Sequence, residues 1–186
     1  FTPRVGALIY LSPRHNFRAS YQTGFRNPSS QDLYISLDVS QVVIIGTSPD
    51  SVERFNMDLV GGSSLNSYNV TGNMVQNNSY TLAAAGGVFE KAELDYVKPD
   101  FVNTKEFGYR YNGKKVSVDI SAYWSKFTEF ITEVQVITPL YGSVADLSGA
   151  AAVAARDFRV FSWNTNTTDE VTTKGISAGV DARLGK

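Results

Sequence analysis

The sequence predicts an all-β chain: an antiparallel up-and-down meander of about six strands, part of a transmembrane β-barrel, with long extracellular loops. Three observations lead there. From Phe17 to Arg26 the side chains alternate without a break, with Phe17, Ala19, Tyr21, Thr23 and Phe25 on one face and Arg18, Ser20, Gln22, Gly24 and Arg26 on the other. That is a period of two, sustained for longer than the roughly five or six residues of a typical soluble strand. The polar face carries two arginines, which suit an aqueous lumen. Finally, segments 27–100 and 132–157 lose the alternation and are dense in Gly, Ser, Asn and Asp. Such loops are out of place in a compact soluble domain, but outer-membrane barrels carry long loops on their external side.

Taken in order, strand 4–11 places Val5, Ala7, Ile9 and Leu11 opposite Arg4, Gly6, Leu8 and Tyr10. Ser12 to Asn16 contains Pro13 and reads as a short connection, with His15 as a solvated turn residue. Strand 17–26 follows. Inside the first long loop, 41–45 and 78–85 suit short strands, and Gly86-Gly87 marks a turn without the GxxxxGK[ST] pattern of a phosphate loop. Strand 104–111 sets Phe107, Tyr109 and Tyr111 against Thr104, Glu106, Gly108 and Arg110, and strand 116–125 sets Val116, Val118, Ile120, Ala122 and Trp124 against Ser117, Asp119, Ser121, Tyr123 and Ser125. The aromatic residues near its outer end fit an interfacial girdle. In the second loop, 150–155 suits one or two helical turns. A fifth strand, 158–163, has no assignable facing. The sixth, 175–184, sets Ile176, Ala178, Val180, Ala182 and Leu184 against Ser177, Gly179, Asp181 and Arg183.

Asn112-Gly113 signals a tight hairpin between the third and fourth strands. A two-residue loop would oppose Glu106 to Asp119 and Arg110 to Lys115, two unfavourable like-charge pairs. A four-residue loop, Asn112 to Lys115, instead opposes Arg110 to Ser117 and is the expected register. Short turns and long loops belong on opposite sides of the membrane. Ser12 to Asn16, Asn112 to Lys115 and Asn164 to Glu170 are therefore expected on the periplasmic side.

Composition narrows the function. The 186 residues carry a net charge of -1, without the basic excess of a nucleic-acid surface. The chain has no cysteine and one histidine, so thiolate and multi-histidine metal sites are excluded. There is no GxSxG nucleophile motif and no DxDxDG calcium loop. Glu129 and Glu133 near a strand end read as a solvated rim rather than an acid and base. Asn69-Val70-Thr71, Asn77-Asn78-Ser79 and Asn166-Thr167-Thr168 match the glycosylation pattern only by coincidence. An enzyme, a metal or a cofactor is not expected.

Four segments carry a family resemblance: RASYQTGFRNPSSQDLY (18–34), VKPDFVNTKEFGYRY (97–111), VDISAYWSKFTEFI (118–131) and TTKGISAGVDARL (172–184). In this order they resemble the barrel of a TonB-dependent outer-membrane receptor of the Bacteroidetes type, with Asp100 standing where the family's KPE-like segment has glutamate. The resemblance implies an internal fragment of a receptor in the cell outer membrane that binds and imports a scarce solute, such as a siderophore, vitamin, glycan or peptide. It implies as partners outer-membrane lipid, the solute, a TonB energy-coupling complex acting through a plug that this chain lacks, and a surface lipoprotein. The alternative is a secreted β-sandwich binding module of lectin or adhesin type. A sandwich would bury the apolar faces and expose Arg18, Arg26 and Arg183; a barrel turns those arginines inward.

Ligand contact is expected at the mouth of the barrel, on Arg26, Gln31, Asp32 and Tyr34. Arg26 ends the lumen-facing series begun at Arg18, and Asn27-Pro28 then turns the chain. These residues offer donors, acceptors and a flat ring. The competing reading pairs Arg26 with Glu106 or another wall carboxylate and leaves the rest as solvated loop.

Overall fold

The structure is a computed structural model that describes residues 2–183. Leu184, expected at the end of the last strand, lies outside the described residues. In chain order the elements are β1 (Arg4–Ser12), β2 (His15–Arg26), α1 (Ser30–Tyr34), β3 (Ser36–Asp38), β4 (Val42–Ile45), α2 (Pro49–Arg54), β5 (Asn56–Val60), β6 (Ser67–Thr71), α3 (Gly72–Asn77) and β7 (Tyr80–Thr81). A 3-10 helix (Leu82–Gly86) follows, then β8 (Asp100–Asn112), β9 (Val116–Thr128), β10 (Ile131–Pro139), α4 (Gly149–Ala154), β11 (Phe158–Asn166) and β12 (Val171–Ala182). They fall into two units: Phe1–Arg26, Pro99–Phe130 and Thr167–Lys186 form the first, and Asn27–Lys98 with Ile131–Asn166 form the second.

The first unit is an antiparallel sheet of five strands in the order β1-β2-β8-β9-β12. Its pairing is regular from Arg26↔Asp100 to His15↔Tyr111 and from Phe101↔Thr128 to Asn112↔Ser117. The alternation in the sequence becomes two chemically distinct faces. Phe17, Ala19, Tyr21, Phe107, Ile120, Ala122, Trp124, Ile176 and Val180 share one; Arg18, Ser20, Glu106, Gly108, Arg110, Asp119 and Ser121 share the other. None of the buried apolar side chains belongs to this sheet, and on its apolar face Phe107 is 64% and Ile176 81% exposed. A soluble sheet would hide that face; one standing in lipid does not.

Three expectations are corrected here. His15 is the first residue of β2 rather than a turn residue, and its Nδ1 lies 2.7 Å from the Tyr109 hydroxyl. Residues 158–163 lie in β11, which belongs to the second unit, so the first unit has five strands and not six. Because β12 begins opposite Phe127, the segment 167–170 enters the sheet at the Arg26 and Asp100 end, not at the end of the Lys114 turn. Within the first unit, residues 167–170 of the expected periplasmic segment therefore lie at the opposite end of the sheet from Ser12 to Asn16.

The hairpin register also differs. Arg110 faces Asp119, two residues beyond the expected pairing, and the Gly113 N–H donates to the Val116 carbonyl at 2.8 Å. Lys114 and Lys115 thus form the tip. This register replaces a neutral pairing with a direct opposite-charge pair, the outcome favoured by cross-strand electrostatics.

The second unit is packed, not irregular. Its main sheet has the order β3-β4-β11-β10-β7, with β4 and β11 parallel, and β5 and β6 form a separate hairpin. One core gathers Val43, Ile45, Val52, Val70, Val136, Phe161 and Trp163; a second gathers Tyr80, Ala84, Ile137, Val144 and Val153. Consecutive Val136 and Ile137 serve different cores because adjacent strand residues point to opposite faces. In β4 the burial does alternate, with Val43 and Ile45 in the first core and Val42 and Ile44 only half-buried on the other face, although Val-Val-Ile-Ile shows no alternation in the sequence.

Candidate functional site

The polar face of the first unit is built around Asp119. It accepts from both Arg18 Nη atoms at 2.9 and 3.1 Å, and its Oδ2 accepts from Arg110 Nε at 2.7 Å and forms an ion pair with Arg110 Nη2 at 2.7 Å. Glu106 lies 3.8 Å from Arg18 Nε. Pairing Arg18↔Gly108↔Ser121 places Gly108 beneath the guanidinium, and a Cβ there would overlap Arg18 along its length. Glycine therefore opens the lane by which Arg18 crosses β8 to reach β9. One row further along, Tyr123 folds over Gly175 in the same manner.

Towards the other end, the Thr104 and Ser125 hydroxyls meet at 2.8 Å, and Arg26 closes the face. Its Nε donates to Asp100 Oδ2 at 3.0 Å, its Nη2 forms an ion pair with the same oxygen at 2.7 Å, and its guanidinium stands 5.7 Å from the Phe130 ring centroid. Asp100 is buried, and Arg26 remains largely exposed. The carboxylate partner of Arg26 is thus Asp100, its directly opposed residue, rather than Glu106.

The other expected ligand residues lie in the second unit. Asp32 completes a capping box on α1: its carboxylate accepts from the Ser29 N–H and hydroxyl, each at 2.8 Å, and its own N–H donates to Ser29 Oγ at 3.1 Å. The S-x-x-D spacing was readable as this signal. The Asp32 carbonyl accepts from the Thr47 N–H and Asn164 Nδ2. Gln31 and Tyr34 are exposed on the same short helix. So Arg26 and Asp32 have structural partners, while Gln31 and Tyr34 present their polar groups to solvent.

Elsewhere in this unit Asp157 is buried and accepts from the Ser63 and Ser64 N–H groups at 2.9 and 3.0 Å. Those two backbone donors hold its carboxyl below the usual carboxylate range. Ser162 Oγ donates to Glu133 at 2.8 Å, a contact that gives Glu133 a structural partner. Among the described residues no three His, Cys, Asp or Glu side chains group as metal ligands, and no helix is long and apolar enough to cross a membrane. Strands are the elements that can cross.

An antiparallel sheet with a lipid-compatible face and a charged, internally paired face is the wall of a transmembrane barrel. The match of residues 1–185 to the family model for the TonB dependent receptor-like β-barrel makes the class specific: the chain belongs to that family, whose members are outer-membrane receptors and transporters, not enzymes. Comparison with curated proteins gives no match. Among solved structures, the siderophore receptor PirA from Acinetobacter baumannii is similar at 12% identity with a TM-score of 0.45, over 99% of this chain and 21% of that receptor. The chain spans about a fifth of that receptor's length.

Proposed function

We propose that this chain is a wall segment of a longer outer-membrane receptor that binds a scarce solute outside the cell and admits it through the barrel when a TonB energy-coupling complex acts on a plug. The supporting observation is the inversion of the usual burial pattern: the first unit exposes its apolar face and ties its charged face into the Arg18, Glu106, Arg110 and Asp119 network. Water in a lumen favours that charged face, and lipid favours the other. A sandwich module would need the apolar face covered. The solute is a siderophore, vitamin, glycan or peptide, and a surface lipoprotein is a further partner.

Solute contact is assigned to Arg26, Gln31, Asp32 and Tyr34, with Gln31 and Tyr34 as its free polar groups. Arg26 retains an exposed guanidinium edge, and Asp32 holds the helix that carries the other two. Two experiments test this. The full-length receptor should fractionate with outer membranes and require detergent for release; recovery in the soluble fraction overturns the wall assignment. Gln31→Ala with Tyr34→Ala should weaken solute binding to whole cells at normal surface expression; unchanged affinity overturns the site.

A further inference from the structure

Two alanine-rich elements of the second unit, the 3-10 helix (Leu82–Gly86) and α4 (Gly149–Ala154), both contact β10 and together line an open slot of about 590 Å³. Ala84 and Ala85 line it from the first element and Ala154 from the second. Their methyl groups leave room that longer side chains would fill. Phe89 and Phe158 complete the apolar lining. Both are half-buried against the second core, and Tyr80 meets the Phe89 ring edge-on with centroids 5.3 Å apart. The two phenyl rings are therefore held by packing that is already in place. Arg156 is the one charged residue of the lining.

Arg156 stands in the turn between α4 and β11 with φ of 61°, a left-handed conformation that is costly for any residue with a Cβ. Its N–H donates to the Val153 carbonyl at 3.0 Å, and its own carbonyl abuts Gly62, where a Cβ would come within 2.5 Å. With the backbone so engaged, the side chain is what Arg156 offers the slot. Among the described residues no side-chain hydrogen bond or ion pair engages it, and no acidic residue lines the slot. Arg54 and Arg159 of the same unit, by contrast, each pair with an aspartate. An apolar slot with one unpaired guanidinium is complementary to an apolar monoanion, because a dianion would keep one charge without a partner. A planar carboxylate fits the guanidinium fork through two parallel hydrogen bonds, and two phenyl rings in the lining favour a flat aromatic body. We propose that this slot binds an aromatic monocarboxylate, with its ring against Phe89 and Phe158 and its carboxylate on Arg156. The volume is in the range of ordinary small-molecule sites. None of Arg26, Gln31, Asp32 and Tyr34 lines the slot, and every residue that does belongs to the second unit. Whether the first unit forms a barrel wall does not bear on it.

The test is titration calorimetry on the full-length receptor in detergent micelles, corrected for the heat of mixing with empty micelles. The probes are naphthalenecarboxylate, which has ring and charge, naphthalenecarboxamide, which has the ring alone, and octanoate, which has the charge alone. Wild type should bind the aromatic carboxylate saturably and at least about tenfold more tightly than the carboxamide, as expected for one charge-assisted pair. Octanoate should bind several-fold more weakly than the aromatic acid. Arg156→Gln should erase the preference for carboxylate over carboxamide, whereas Arg54→Gln, which removes a cation elsewhere in the unit, should retain it. Ala85→Leu should fill the slot and remove binding of all three probes while the second unit keeps its resistance to protease. Arg156 is exposed, so Arg156→Gln leaves the core intact and decides the matter even where Ala85→Leu unfolds. Failure of the aromatic acid to bind, equal binding of the carboxamide or of octanoate, or an unchanged preference in Arg156→Gln would each overturn the proposal. Loss of detergent-dependent membrane fractionation, with these preferences intact, would count against the wall reading alone.

Discussion

Gly108→Ala is the most informative substitution in the wall, because its sign depends on one neighbour. Alanine normally stabilises a strand interior relative to glycine by about 0.5–1 kcal/mol. Here the new Cβ would occupy the lane of the Arg18 side chain, including its Cγ, so rotation of the guanidinium alone cannot relieve the overlap. Arg18 must leave Asp119, losing two charge-assisted hydrogen bonds of 2.9 and 3.1 Å between side chains 35% and 30% exposed. Buried bonds of this kind contribute about 1.5–3 kcal/mol and exposed ion pairs about 0.2–1, so partial exposure places the loss at about 1–2 kcal/mol. Gly108→Ala should therefore destabilise the receptor by about 0.5–1 kcal/mol net, and in an Arg18→Ala background it should instead stabilise by a similar amount. Urea unfolding of the full-length receptor in micelles, followed by tryptophan fluorescence, measures all four corners of the cycle. Additive effects, with Gly108→Ala of the same sign in both backgrounds, would refute the claim that glycine serves Arg18.

Trp163 is fully buried and its indole N–H donates to the Asp95 carbonyl at 2.8 Å. Trp163→Ala should cost the second unit about 3–5 kcal/mol, read as early proteolysis within 27–98 and 131–166 while the membrane-embedded strands remain protected. Asp157 has a folded pKa below its unfolded value, so its stabilising contribution is present above the unfolded value of about 3.9 and disappears as pH falls through the lower folded value. Acid titration should therefore weaken the second unit below about pH 4, and the drop should shrink in Asp157→Asn; an identical drop in both proteins would assign the effect to other carboxylates. A small epitope tag at Asp169 should be labelled on intact cells, and one at Lys114 only after the outer membrane is broken. Labelling of Asp169 from inside alone would restore the topology in which Asn164 to Glu170 is periplasmic.

The sequence by itself determined the faces of the wall. A period of two is local, so Arg18, Glu106, Arg110 and Asp119 could be placed on one side, and Phe17, Phe107 and Trp124 on the other, without knowing which strands meet. It could not determine the register of the β8 and β9 hairpin, because sliding by two residues leaves every side chain on the same face. The tertiary structure decided that step through the Arg110 and Asp119 pair. Nor could the sequence show that 27–98 and 131–166 fold as a unit: the parallel contact of β4 with β11 joins residues more than a hundred positions apart and leaves no local periodic trace. The missing facing of 158–163 has the same origin, since β11 is covered on both sides and the pattern that marks a half-buried strand does not arise. Finally, Arg26 was readable as the end of the polar series, but its partner was not. Only strand pairing sets Asp100, 74 residues away, directly opposite it.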